Sequence, residues 1–137
     1  MIVARLLLAL GVMGGTVERG FAPHYAPGLM ERIAVMRELQ VVPCMVSSPR
    51  YRVGTWLTIY GRKTGKVLSC TVADVSAPKD TERHLRTKRV VELGWPAAQI
   101  LCGFKHVAED RPEACPVLVV GAEPGMSQSS VRAMRRT

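Results

Sequence analysis

Asp74 closes the apolar run Thr71-Val72-Ala73, where a strand gives way to a polar segment, and Asp80 and His84 follow on that segment. A strand end is a rigid platform for presenting a side chain. Carboxyls and an imidazole so placed suit general acid–base work, in which one group protonates a leaving oxygen and then takes a proton back. Asp74, Asp80 and His84 are therefore the candidate catalytic residues. Trp56 and Tyr51 offer rings on which a sugar can stack. Arg83 offers a fork for carboxylates or phosphates. Each has a plainer alternative. Asp74 can cap its own loop, Asp80 and His84 can be solvated, and strand aromatics can simply pack.

The elements that must position these residues are short. Thr55, Leu57 and Ile59 alternate with Trp56, Thr58 and Tyr60, the period of a strand with two differently dressed faces. Val67–Asp74, Arg89–Leu93 and Cys115–Val120 read as further strands, and Gln40–Val46 as an edge strand interrupted by Pro43. Pro27-Gly28 opens a helix with the apolar stripe Leu29, Ile33, Met36 and Leu39. A second helix runs from Gly94-Trp95-Pro96 to Cys102, with Pro96 where its missing N–H does no harm. Residues 16–26 read as a linker and 75–88 as a long charged loop. The fold class that follows is mainly β, a compact barrel with one or two short helices.

Length and composition narrow the function. The 137 residues suffice for one domain, and 47% apolar content supports a core. Aromatics are only 5%, too few for an extended sugar-stacking platform. The net charge of +8 is concentrated: ten Lys/Arg face three acids between Arg50 and Arg89. Such a field favours an anionic partner. Gly61-Arg62-Lys63-Thr64-Gly65-Lys66 does not make a phosphate loop, because the glycines are one residue too close and Val67 replaces the magnesium-binding hydroxyl. No nucleotide is expected. The basic charge alone would also suit a nucleic-acid binder, but no recognition motif accompanies it and no specific nucleic acid is expected.

Arg5 precedes the apolar run Leu6–Met13 and the small residues Gly14-Gly15, the layout of an export signal rather than a membrane span. Cys44, Cys70, Cys102 and Cys115 form no Cys-x-x-Cys pair and the three His are scattered, so no metal or other cofactor is expected. An even count behind an export signal favours two disulfides. Of three possible pairings, Cys102–Cys115 closes a short loop and leaves Cys44–Cys70 to join two strands. The alternative is four buried thiols. The organisation is then a signal peptide over 1–20, a linker and helix over 21–39, the barrel over 40–121, and a flexible basic tail over 122–137.

The series Val53-Gly54-Thr55-Trp56-Leu57, Thr64-Gly65-Lys66, Val72-Ala73-Asp74, Val91-Glu92-Leu93 and Ala97-Ala98 resembles the rare-lipoprotein-A-like double-psi β-barrel. The wider superfamily holds expansins, barwin-like proteins and family-45 endoglucanases. The match spans roughly residues 40–120. The resemblance implies a six-stranded barrel with a polysaccharide groove and an anionic cell-wall polysaccharide, peptidoglycan, as partner. It places the aspartate of the family's asp-arg-gly-pro motif on Asp74. In a lytic transglycosylase the substrate's own hydroxyl closes an anhydro ring, so one carboxyl acting as acid and then base suffices. Asp74 is followed here by Val75-Ser76-Ala77-Pro78, and a His of the bacterial wall enzymes falls on Ser48, which is thus a candidate substrate contact. These departures support a second reading, a non-catalytic structural or interaction module on the same fold, secreted or carried on a virus particle.

Overall fold

Side chains from Trp56 alternate as the sequence predicts: Leu57 and Ile59 are buried, while Trp56, Thr58 and Tyr60 are half-buried. This strand is the middle of a sheet in the computed structural model, which describes residues 16–107 and 111–121. The predicted signal segment before Thr16 and the basic tail after Gly121 lie outside the described residues. The element order is β1 (Thr16–Phe21), α1 (Leu29–Met36), β2 (Met45–Ser48), β3 (Trp56–Gly61), β4 (Val67–Val75), α2 (Pro78–Arg86), β5 (Glu92–Leu93), α3 (Trp95–Cys102) and β6 (Pro116–Gly121).

The six strands form one mixed sheet in the order β1-β6-β3-β4-β2-β5. β2 and β4 run parallel; the other pairs are antiparallel. The sheet curls into a half-barrel. Two isolated parallel bridges, Phe21–Arg89 and His24–Leu93, link the chain at the end of β1 to the region of β5. The described residues are thus mainly β with three short α-helices. The concave side holds the main core, in which Leu57, Ile59, Val72 and Val119 meet Ala98 and Leu101 of α3. A smaller core lies on the opposite face, where Met30 and Ala34 of α1 cover Met45 and Ala73.

Both predicted disulfides are present, Cys44–Cys70 and Cys102–Cys115. Three segments differ from expectation. Thr16–Phe21, read as the boundary of leader and linker, is an edge strand paired with β6 over its whole length. Its sequence is too polar to announce a strand, and the backbone ladder holds it. Residues 78–86, read as loop, form α2. Pro78 opens that helix, and Arg83 reaches Asp80 one turn back at 3.0 Å. The strand expected over Gln40–Val46 is confined to Met45–Ser48; Pro43 precedes it.

Gly61 ends β3 under the last turn of α3. A Cβ there would sit 2.1 Å from the Leu101 carbonyl oxygen and 2.9 Å from Thr64 Oγ1. Thr64 already donates to that carbonyl at 2.9 Å, so neither group can retreat without losing a bond. Gly61→Ala is expected to destabilise by about 2–3 kcal/mol, the cost of overpacking against backbone. Urea unfolding checks this, and Gly65→Ala provides the contrast. Gly65 has φ +76° and open space, so that change carries only a backbone cost of about 1 kcal/mol.

Candidate functional site

The placement of Asp74 depends on a register shift. Met45 and Val46 pair with Thr71 and Val72, but Ser47 pairs with Asp74. Strict alternation would turn Asp74 toward Val72 and the main core. The bulge resets the alternation and sets Asp74 on the face of Met45 and Ser47. On the other side of β2, Ser47 pairs with Glu92 while Val46 pairs with Leu93. Asp74, Ser47 and Glu92 therefore form one row across β4, β2 and β5.

Tyr25 reaches this row from the segment after β1, which is tied to β5 by Tyr25 N–H donating to the Leu93 carbonyl at 2.8 Å. The Tyr25 hydroxyl donates to Asp74 Oδ2 at 2.9 Å. Arg37, just past α1, donates from Nη2 to Asp74 Oδ1 at 2.8 Å. Burial pushes the Tyr25 phenol well above its ordinary range. The nearby Ser47 hydroxyl opposes that shift, while the bond to Asp74 and the charges of Asp74 and Glu92 add to it. The phenol therefore stays a donor.

His84 is buried at 6% exposure, contrary to a solvated loop position. Its Nδ1 is 2.9 Å from Ser76 Oγ and its Nε2 is 3.7 Å from Glu92 Oε1. Burial raises the Glu92 carboxyl above its ordinary value; His84 and Arg89 oppose the shift, and Asp74 and Asp80 reinforce it. Asp74, Glu92 and His84 thus belong to one neighbourhood that Asp80 influences through its charge. Asp80 itself pairs with Arg83 on the exposed side of α2.

The raised Glu92 carboxyl has a consequence for stability. The folded state binds that proton more tightly than the unfolded chain, so Glu92 subtracts stability as pH rises from about 4.5 through its folded pKa. Glu92→Gln is expected to be matched with the parent near pH 4.5 and more stable near neutrality. Urea midpoints across about pH 4.5–7.5 check the widening difference. A constant difference would show that Glu92 titrates alike in both states.

The remaining sequence candidates lie elsewhere. Tyr51 is buried at 3% exposure and its hydroxyl bonds to that of Thr16, so its ring offers no open face for stacking. Ser48 is buried, and its Oγ accepts the N–H groups of Arg50 and Tyr51, a local turn cap. Trp56 stays half-buried on β3. The sequence candidates omitted Tyr25, Arg37, Ser47, Ser76 and Glu92. Glu92 had one signal, since it stands where the resembled family carries an Asp; the others had none. Among the described residues, no group of three or more His, Cys, Asp or Glu could hold a metal ion. No protein-family model matches the chain, and no curated protein sequence matches it.

Proposed function

We propose that this protein is an exported double-psi β-barrel that binds and cleaves a cell-wall glycan of the peptidoglycan class, with Asp74 at the centre of the reaction. One observation carries the reading: the bulge in β4 turns Asp74 out of the core and into one row with Ser47 and Glu92, where Tyr25 and Arg37 fix its carboxylate. A carboxylate held in place on the same row as a second, partly buried carboxyl offers groups of the kind that acid–base cleavage of a glycosidic bond uses. The resemblance implies a lytic-transglycosylase-like route, with Asp74 as acid and then base.

Three further features support this reading. The sheet has six strands, one parallel pair and bridged edges. Two disulfides suit an oxidising, extracytoplasmic setting. Arg89 acts on Glu92 through its charge, and the exposed Lys79, Arg83, Arg86 and Lys88 of the preceding segment add a basic surface that suits an anionic polymer.

The second reading, a non-catalytic structural or virion-associated module, draws on Asp74 accepting hydrogen bonds from protein groups at both oxygens. A co-sedimentation assay on purified peptidoglycan, followed by mass analysis of released fragments, separates the two. The first reading expects retention and fragments. Retention without fragments leaves a binding module, and no retention ends the glycan reading. A signal peptide removed from a free secreted form would count against a virion role.

A further inference from the structure

We propose that β3 carries a glycan-binding track, on which Trp56 and Tyr60 hold sugar rings that extend away from Asp74; this rests on the glycan reading above. The strand register fixes the face. Trp56 pairs with Thr71, Thr71 pairs with Met45, and Ser47, two residues further along β2, pairs with Asp74. Laterally paired residues, and residues two apart on one strand, project from the same face of a sheet. Trp56 and Asp74 therefore share a face. Thr58 and Tyr60 continue it along β3, paired with Ser69 and Val67 of β4. By strand spacing, the Trp56 backbone lies about 7 Å along and about 5 Å across from that of Asp74, and Tyr60 lies about 13 Å further along β3.

The described helices pack elsewhere. On this face α1 covers Met45 of β2 and Ala73 of β4, while α3 packs on the opposite face and α2 turns His84 to Ser76 and Glu92. Trp56, Thr58 and Tyr60 are half-buried, Ser69 is exposed and Val67 is 41% exposed.

Two observations identify the occupant as an anionic glycan strand. The first is the alternation of rings and hydroxyls: Trp56 and Tyr60 flank Thr58, which stands opposite Ser69. A sugar offers C–H faces that stack on rings and hydroxyls that donate and accept, so both kinds of group find partners here. The second is charge. The turn beyond Tyr60 carries exposed Arg62, Lys63 and Lys66 and no acid, and exposed Arg19 of β1 stands in line with Tyr60 across Leu118 of β6. These cations complement an anionic polymer at the end of the track far from Asp74. Two rings grip passing units of a strand without the extended platform that 5% aromatic content excludes. The track thus sets affinity for long strands and leaves the bond-breaking step to Asp74.

The test measures retention of the full chain on purified peptidoglycan over a range of polymer concentrations. Trp56→Ala combined with Tyr60→Ala is expected to raise the half-saturating concentration about tenfold or more, while Asp74→Asn binds as the parent does. Trp56→Phe keeps a ring and is expected to stay within about twofold of the parent; a loss equal to that of Trp56→Ala would overturn the stacking. A second measurement keeps the ring intact. The chain has two Trp, so in Trp95→Phe the emission reports Trp56 alone. That emission is expected to shift on titration with solubilised glycan strands, and no shift would overturn the track. Parental retention in the double alanine variant would overturn the track and leave the glycan reading standing. No retention of the parent would overturn both. Dimers of the parent that Tyr60→Ala dissolves, with retention unchanged, would overturn the track and assign the face to a second copy of the chain.

Discussion

Loss of both disulfides is expected to unfold this protein at physiological temperature. Cys102–Cys115 closes a separation of 13 residues and Cys44–Cys70 one of 26. Restriction of the unfolded chain by loops of that size is worth about 3 kcal/mol each. Together they approach the whole stability of an ordinary domain, about 5–15 kcal/mol. All four sulfurs belong to the main core, so replacing them also leaves poorly filled space. The two bridges do different work. Cys102–Cys115 fastens the end of α3 to the start of β6. Cys44–Cys70 clamps the entry of β2 to β4, the one parallel pair, which no tight turn can join. The double variant Cys44→Ala/Cys70→Ala is therefore expected to loosen the Asp74–Ser47 register first. Cys102→Ala/Cys115→Ala is expected to lower the melting temperature comparably while sparing the row. Thermal melts with and without reductant after brief denaturation check the first claim; coincident melts would refute it.

The difference between what could and could not be read from the chain has a physical basis. β3 was legible because Leu57 and Ile59 alternate into the core with a period of two, and β6 because Pro116–Gly121 is a short, continuously apolar run. The disulfide pairing was legible because loop length favours a short closure. β1 was not, since a strand such as Thr-Val-Glu-Arg-Gly-Phe owes its place to backbone pairing with β6 rather than to its own apolar pattern. Helix α2 was hidden by its charge: polar nearly all round, among its described side chains it turns only His84 fully inward.

The site was half legible. Asp74 announced itself at the end of an apolar run. Its companions did not, because each depends on a long-range event: the bulge that matches Ser47 to Asp74, the bridge that carries Tyr25 to β5, and the helix that returns His84 to Glu92. Sequence spacing singled out Asp80 and His84 as neighbours of Asp74 along the chain. In space, Asp80 turns to Arg83, and Glu92, on the next strand but one, takes the far end of the row.

Asp74→Asn is expected to remove at least about 10³-fold of any glycan cleavage while leaving the protein folded and bound to glycan. The change preserves shape. The Asn carbonyl can still accept from Tyr25, and only the ion pair with Arg37 is lost. Arg37 is 43% exposed, so that pair is worth no more than about 1 kcal/mol to stability. An amide, however, can neither take nor give the proton that bond cleavage moves. The effect on rate should therefore far exceed the effect on the unfolding midpoint. Arg37→Ala supplies the comparison: it removes the same ion pair and keeps the carboxyl, and with Tyr25 still holding Asp74 it is expected to cost far less activity than Asp74→Asn. Rates of fragment release and urea midpoints for the parent and both variants decide the matter. If Asp74→Asn cleaves as fast as the parent, Asp74 is not the acid–base group. If Arg37→Ala is as inactive as Asp74→Asn, the guanidinium, and not the carboxyl alone, is required for the chemistry.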